Sequence, residues 1–247
     1  MQQDKGFGDI IALVRDLRVR CDFDRALTLE TLRPYLREEV AEFEEAQDHA
    51  DESRVAAELG DLLLHCAFQV VLAEERGAFT LADVSTRLVS KMQARHPHLY
   101  GGGEKPDWER HKAEERRREA ERRGESPSVL GHLPPGLPEL ERAYRYQERA
   151  ATVGFDWPDL AGPLDKLEEE VREARMHPVD EIGDVLFAAV NVARKAGVHP
   201  TAALRQATEK FKTRFAGIER LAAARGIDVS TAGLEALDRL WDEVKSA

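Results

Sequence analysis

Residues 166–184 read KLEEEVREARMHPVDEIGD. Glu170 and Glu173 stand three apart in one helical stretch, and Glu181 and Asp184 stand three apart in the next. Residues at that spacing share a helix face. Pro178 lies between the two pairs and suits the first turn of a new helix. The stretch therefore reads as two consecutive helices joined by a turn, able to point their acidic faces at each other. The same order occurs earlier, in residues 38–61, EEVAEFEEAQDHADESRVAAELGD, where Glu39 and Glu42 precede Glu58 and Asp61.

The correspondence runs on past the acids. Each copy continues through an apolar run to a glycine, Gly77 or Gly197, and then to a Lys and an Arg four residues apart. These are Lys91 and Arg95 in the first copy, and Lys210 and Arg214 in the second. The main difference is the link between acidic motifs, 15 residues in the first copy and 7 in the second. Self-similarity of this kind is an internal repeat and sets the architecture. An isolated acidic pair would carry little weight, since 47 acids in 247 residues give about nine such pairs by chance, the usual false-positive rate of a short motif. A repeated order ending in Lys and Arg is not explained that way.

Working outward, helical periodicity covers almost the whole chain. Helices are expected at 8–19, 30–49, 53–76, 80–96, 108–123, 137–151, 160–176, 178–196, 200–225 and 231–246. Thr80 and Asp83 form a capping-box pattern. Gly77, Gly197 and Gly226 sit where helix C-termini favour a left-handed residue. No stretch alternates like a strand bounded by hairpin turns. The expected fold is all-α, with two repeated four-helix units joined by a charged helical linker. The units span 1–100 and 137–247, and the linker spans 101–136. Within it, residues 104–126 hold eight basic and eight acidic side chains, a balance that reads as a solvated helix rather than a nucleic-acid patch.

Composition excludes other classes. The net charge of −11 argues against binding a nucleic-acid backbone, which needs a basic face. Two cysteines, Cys21 and Cys66, supply neither a disulfide framework nor a cysteine zinc site. No continuous apolar run approaches the length of a membrane span, and the N-terminal stretch lacks a secretory pattern. A cytoplasmic protein without a membrane or nucleic-acid partner is expected.

Four carboxylates converging from two helices repel one another unless a cation joins them. All-oxygen ligation suits magnesium, with manganese as substitute. Magnesium in such sites also holds substrate phosphates, and the later Lys and Arg add positive charge for them. Together these groups suit metal-assisted hydrolysis of a phosphoric anhydride. A metal-free salt-bridge network between the helices is the structural alternative. A redox di-iron bundle would call for Glu-x-x-His pairs, and His65 aligns with Ala188 in the repeat. His96-Pro97-His98 reads as a turn at a helix end rather than a ligand set.

The chain resembles the MazG family of all-α nucleoside triphosphate pyrophosphohydrolases in its two-domain form. The resemblance is carried by Tyr35 to Asp61, Lys91-Met92-Gln93-Ala94-Arg95-His96-Pro97-His98, Trp108 to Arg116 and Val153-Gly154-Phe155-Asp156-Trp157. Lys166 to Asp184, Asn191 to Arg194, Lys210 to Phe215 and Trp241 to Lys245 extend it. It implies magnesium ligands at Glu170, Glu173, Glu181 and Asp184, and phosphate contacts from Lys210 and Arg214. Trp157, Asn191, Trp241 and Lys245 are implied nucleotide contacts, with core packing the other reading of both tryptophans. Glu169 is a candidate water-orienting base. The first copy carries the parallel set Glu39, Glu42, Glu58, Asp61, Lys91 and Arg95. The resemblance further implies a homodimer, and hydrolysis of nucleoside triphosphates to monophosphate and pyrophosphate in nucleotide housecleaning. The stretch Cys21-Asp22-Phe23-Asp24-Arg25-Ala26-Leu27-Thr28 lacks the family's Trp and Gln/His positions before the first acidic motif. That favours the second copy as the active one.

Overall fold

A computed structural model describes residues 6–48, 51–102, 108–124 and 126–246. Every regular element among them is helical. The chain divides into two compact units, Met1–Pro106 and Asp107–Ala247.

In the first unit, α1 (Phe7–Arg20), a short α2 (Asp22–Ala26), α3 (Leu29–Asp48) and α4 (Glu52–Glu75) are followed by α5 (Leu81–Arg95) and a single-turn α6 (Pro97–Tyr100). Local chemistry marks the ends. Asp51 caps α4 by accepting from the Ser53 and Arg54 N–H groups, each at 3.1 Å. The Thr80 N–H donates to Asp83 at 2.8 Å, while Thr80 Oγ1 accepts from the Asp83 N–H, so α5 opens on the expected capping box. Gly77 follows α4 at φ +63°, a conformation a side chain disfavours. Helix α4 packs on α1 and α3. Ile11, Val14, Leu32, Phe68 and Val71 form the core between them. Helix α5 buries none of its residues, and its neighbour is α6.

By length and composition α4 alone, among the described residues, is apolar enough to cross a membrane. It is not a continuous apolar run, since Glu58 and Asp61 interrupt it. Its apolar side chains instead build the first unit's core, where His65, Ala67, Phe68 and Val70 to Ala73 are buried. The short α2 and α6 were not expected, and α6 makes the His96-Pro97-His98 segment the start of a helical turn.

The second unit holds α7 (Trp108–Arg123), α8 (Glu139–Ala151), α9 (Ala161–Met176), α10 (Pro178–Lys195), α11 (Pro200–Ala224) and α12 (Leu234–Ser246). Pro178 and Pro200 occupy the first turns of α10 and α11. Helix α10 packs on α9 and α8, repeating the arrangement of α4 on α3 and α1. Helices α11 and α12 enclose a separate core of Ile218, Ala222 and Leu240. They approach closely at Gly217, where a Cβ would lie 2.8 Å from Val244.

Candidate functional site

In the second unit, Glu170, Glu181 and Asp184 each bring a carboxylate oxygen within 4.8 Å of the other two. Glu170 comes from α9 and the other two from α10, so the trio exists because these helices lie side by side. Glu169, Glu170 and Glu173 form an overlapping trio along α9. Glu170 is buried, at 6% exposure. Lys166, one turn earlier on α9, places its ammonium 2.6 Å from Glu170 and 2.7 Å from Glu169. Hydrogen bonds to these two carboxylates push the Lys166 pKa upward, and Lys166 in turn holds the Glu169 carboxyl below its ordinary value. Glu169 is therefore a carboxylate at neutral pH.

Glu170 and Asp184 of this trio line a cavity of about 300 Å³. Leu130, Phe155, Trp157, Phe187 and Ala188 form its apolar walls. Gln147, Lys166, Glu170, Asp184, Asn191 and Arg194 contribute its polar groups. The loop before α9 is tied down from α10. Arg194 donates to both carboxylate oxygens of Asp156, at 3.1 Å to Oδ2 and in a shorter bond to Oδ1. Lys195 donates to Asp156 at 3.3 Å and to the Trp157 carbonyl at 2.6 Å. Both cations sit in the last turn of α10, where the helix dipole also favours them. Arg194 holds Asp156 below its ordinary pKa, with Lys195 adding to the effect and burial opposing it. Trp157 then lies against Gly162, so close that a Cβ there would be 1.9 Å from the ring. The Val153 to Trp157 segment is thereby fixed as one wall of the cavity.

The first unit repeats the acid cluster in Glu39, Glu58 and Asp61, whose oxygens again lie within 4.8 Å of one another. Burial raises the Glu39 pKa, and the charges of Asp61, Glu42, Glu58 and Glu38 raise it further. Glu42 acts on Glu39 through this field and is not a member of the trio. Beside the trio lies a cavity of about 180 Å³ lined by Phe23, Tyr35, His65 and Phe68 among others. His65 Nε2 approaches Glu39 to 3.9 Å, and burial lowers the His65 pKa.

The remaining candidates lie elsewhere. Lys210, Arg214, Trp241 and Lys245 do not line the second unit's cavity. Arg214 instead stacks over the Trp241 ring at 5.7 Å, and Phe211 meets the same ring at 5.5 Å, on the α11–α12 pair. Lys91 and Arg95 belong to α5 and do not line the first unit's cavity. His96 holds the Met92 carbonyl at 2.7 Å through Nδ1. Gln147, Asp156, Lys166 and Arg194 were not singled out individually from sequence, although the last three lie in resemblance segments. Lys166 stands three and four residues before Glu169 and Glu170, a spacing the sequence shows, whereas the partners of Gln147, Asp156 and Arg194 across the fold leave no such trace.

A MazG nucleotide pyrophosphohydrolase domain matches residues 27–100. The nucleoside triphosphate pyrophosphohydrolase/pyrophosphatase MazG of Thermotoga maritima is 39% identical over 249 residues, covering 97% of this chain and 95% of that protein. The nucleoside triphosphate pyrophosphohydrolase of Escherichia coli is 37% identical over 253 residues, covering 96% of this chain and 94% of that protein. The chain belongs to the MazG family. The match at 27–100 contains the first acid trio, and the full-length MazG relatives extend the likeness across the second trio and its cavity.

Proposed function

We propose that this MazG chain hydrolyses nucleoside triphosphates, ribo- and deoxyribo-, to the monophosphate and pyrophosphate, as a nucleotide-housecleaning enzyme. One observation carries the reading: a cross-helix trio of carboxylates stands at the edge of a cavity large enough for a nucleobase. The names of the full-length relatives support the same reaction class. The donor set fits a hard divalent cation, because it is all oxygen, convergent and partly buried. Glu170, Glu181 and Asp184 would hold magnesium or manganese, with Glu173 beside them. Such an ion supplies charge neutralisation of the triphosphate and a lowered pKa for bound water.

The chain's own residues do the rest. Water oxygen forms a bond to phosphorus as the bridging P–O bond breaks, and pyrophosphate departs with the bridging oxygen. We assign Glu169, held ionised by Lys166, to orient that water and take the proton it loses. Lys166 balances charge on the acidic face. The walls of Phe155, Trp157 and Phe187 exclude water around the nucleoside. Lys210 and Arg214, with Trp241 and Lys245, sit on α11 and α12 and do not line the cavity, and we assign their phosphate contacts to a site completed by a second copy of the chain. The exposed apolar side chains Ile182, Leu186 and Phe187 on α10, and Leu204 and Phe211 on α11, support a homodimer that covers them. The first unit, with Lys91 and Arg95 on a helix that buries nothing, serves as support. The protein is cytoplasmic, without membrane or nucleic-acid partners.

The test is pyrophosphate release from a panel of NTPs and dNTPs by wild type, Asp184→Asn and Asp61→Asn. Wild type turns over with magnesium and stops with chelator. Asp184→Asn loses about 100-fold or more in kcat, the scale expected for one transition-state electrostatic group, and Asp61→Asn stays near wild type. Loss in Asp61→Asn alone reverses the assignment of the units. No release by wild type from any nucleotide removes the hydrolase reading.

A further inference from the structure

One polar group on the cavity wall has no partner. Gln147, on α8, is 7% exposed and lines the cavity with Glu170 and Asp184. Its Nε2 donates to the Phe187 carbonyl at 2.9 Å. A backbone carbonyl only accepts, so this bond fixes the amide: the NH2 faces α10 and Oε1 cannot take its place. Oε1 is buried without a hydrogen-bond partner. Folded proteins leave few such acceptors unpaired, and an aliphatic side chain of similar size would fill the space without that cost. The other neutral amide on the wall is already engaged, since Asn191 Oδ1 accepts from Arg194 at 2.9 Å. Glu170 and Asp184 belong to the cation cluster. Gln147 is left as the neutral amide acceptor.

Its position says what it faces. Phe187 follows Asp184 by three residues on α10, about 4.5 Å along the helix axis. The wall around Gln147 is largely apolar, built by Leu130, Phe155, Trp157 and Phe187, so it suits the nucleoside rather than the phosphate chain. Every nucleoside offers donors of the required kind, a sugar hydroxyl or a base N–H. We propose that Gln147 Oε1 accepts a hydrogen bond from the nucleoside part of the substrate and is a specificity-determining residue of this enzyme. The inference rests on the nucleotide reading above. It makes the cavity selective for a neutral donor at one point, and makes an acceptor there unfavourable because two oxygens would face each other.

The test uses the full chain with magnesium. Pyrophosphate release is measured for ATP, 2′-deoxy-ATP, 3′-deoxy-ATP and purine riboside triphosphate, which lacks the exocyclic amine. The sugar and base arms separate the two donor sources. For one analogue, wild type loses about 10- to 100-fold in kcat/KM, mainly through KM, the scale of one buried group left unpaired. Gln147→Leu loses a similar factor on the parent nucleotide and nothing more on that analogue, because the two deletions remove one interaction. Wild type indifferent to every donor deletion overturns the proposal without need of a variant. Gln147→Leu that discriminates among the analogues as wild type does also overturns it, while the hydrolase reading stands. If wild type hydrolyses none of them, the hydrolase reading has failed. Calorimetry with α,β-methylene triphosphates then decides the pocket: binding weakened by Gln147→Leu supports it, and binding that is unchanged or absent overturns it.

Discussion

Gly162→Ala is the sharpest test of how the cavity wall is held. A Cβ on residue 162 would stand 1.9 Å from Trp157 Cδ1 and 2.6 Å from Cγ and Nε1. Ordinary carbon contacts are about 3.5–4.0 Å, so the indole must retreat by roughly 1.5–2 Å. It has little freedom to do so. Its backbone N–H donates to Asp156 at 2.9 Å, and its carbonyl accepts from Lys195 at 2.6 Å. Overpacking of this kind costs about 1–3 kcal/mol. Alanine's helix preference over glycine returns at most about 1 kcal/mol in a helix interior, and less at residue 162, the second residue of α9. The clash therefore wins. About 1 kcal/mol shifts Tm by about 2–4 °C for a domain of 150–250 residues, so the second unit should melt about 2–10 °C lower. The three tryptophans are Trp108, Trp157 and Trp241, all in the second unit, so tryptophan fluorescence follows that unit alone. In a Trp157→Ala background, which still retains two tryptophans, the added methyl has nothing to strike, and its cost should vanish. An equal loss in both backgrounds, or no loss in the first, refutes the reasoning.

Two further outcomes follow from the charges around the same wall. Asp156 is held below its ordinary pKa by Arg194, so its stabilising contribution is complete above about pH 4, the unfolded-state value, and is lost as pH falls through the depressed folded value. Asp156→Asn should lower the second unit's Tm at neutral pH and flatten its decline in acid, and parallel acid declines in both proteins would count against this. Lys166→Met removes the ammonium beside Glu169 and Glu170. The metal-free protein should then melt lower, and magnesium should raise Tm by more than it does in wild type. A magnesium-induced rise no larger than that of wild type would show that Lys166 does not stand in for cation charge.

Helix positions were legible because their ends carry chemistry that acts locally. Thr80 with Asp83, Pro178, Pro200 and the positive-φ glycines 77, 197 and 226 each act through groups a few residues away. The short α2 and α6 span 5 and 4 residues, too few to show a hydrophobic period. The acids were legible because they repeat, but the trios draw differently on the acidic pairs. Glu181 and Asp184 both join Glu170 across the helices, whereas Glu173 joins Glu169 along α9. An i, i+3 spacing shows that two residues share a face, not how the facing helix is aligned. Gln147 meets its partner 40 residues away and Asp156 meets Arg194 38 residues away. Neither bond leaves a periodic trace, so packing alone reveals them.

The two units diverge in the residues that build the cavity rather than in the acids. Setting Asp61 on Asp184 places His65 at Ala188, Phe68 at Asn191 and Val71 at Arg194. Setting Glu39 on Glu170 places Tyr35 at Lys166, and setting Phe23-Asp24 on Phe155-Asp156 places Arg15 at Gln147. Lys166, Asn191 and Arg194 thereby give way to less polar side chains, of which Tyr35 and Phe68 line the first unit's own cavity. Phe68 and Val71 are core residues, His65 is buried at 7% exposure, and Arg15 is tied to Glu74 at 2.7 Å. Without a Lys166 counterpart, burial and then the surrounding like charges raise the Glu39 pKa. Burying Phe68 favours the first unit's fold by about 1.5–3 kcal/mol relative to exposing it, whereas a buried Asn191 depends on Arg194 to satisfy its oxygen. An acid trio can persist beside either wall, because neither Glu58 nor Asp61 belongs to the first unit's hydrophobic core. Under the function proposed above, what distinguishes the nucleotide site from the support unit is the volume and polarity one helical turn beyond the carboxylates.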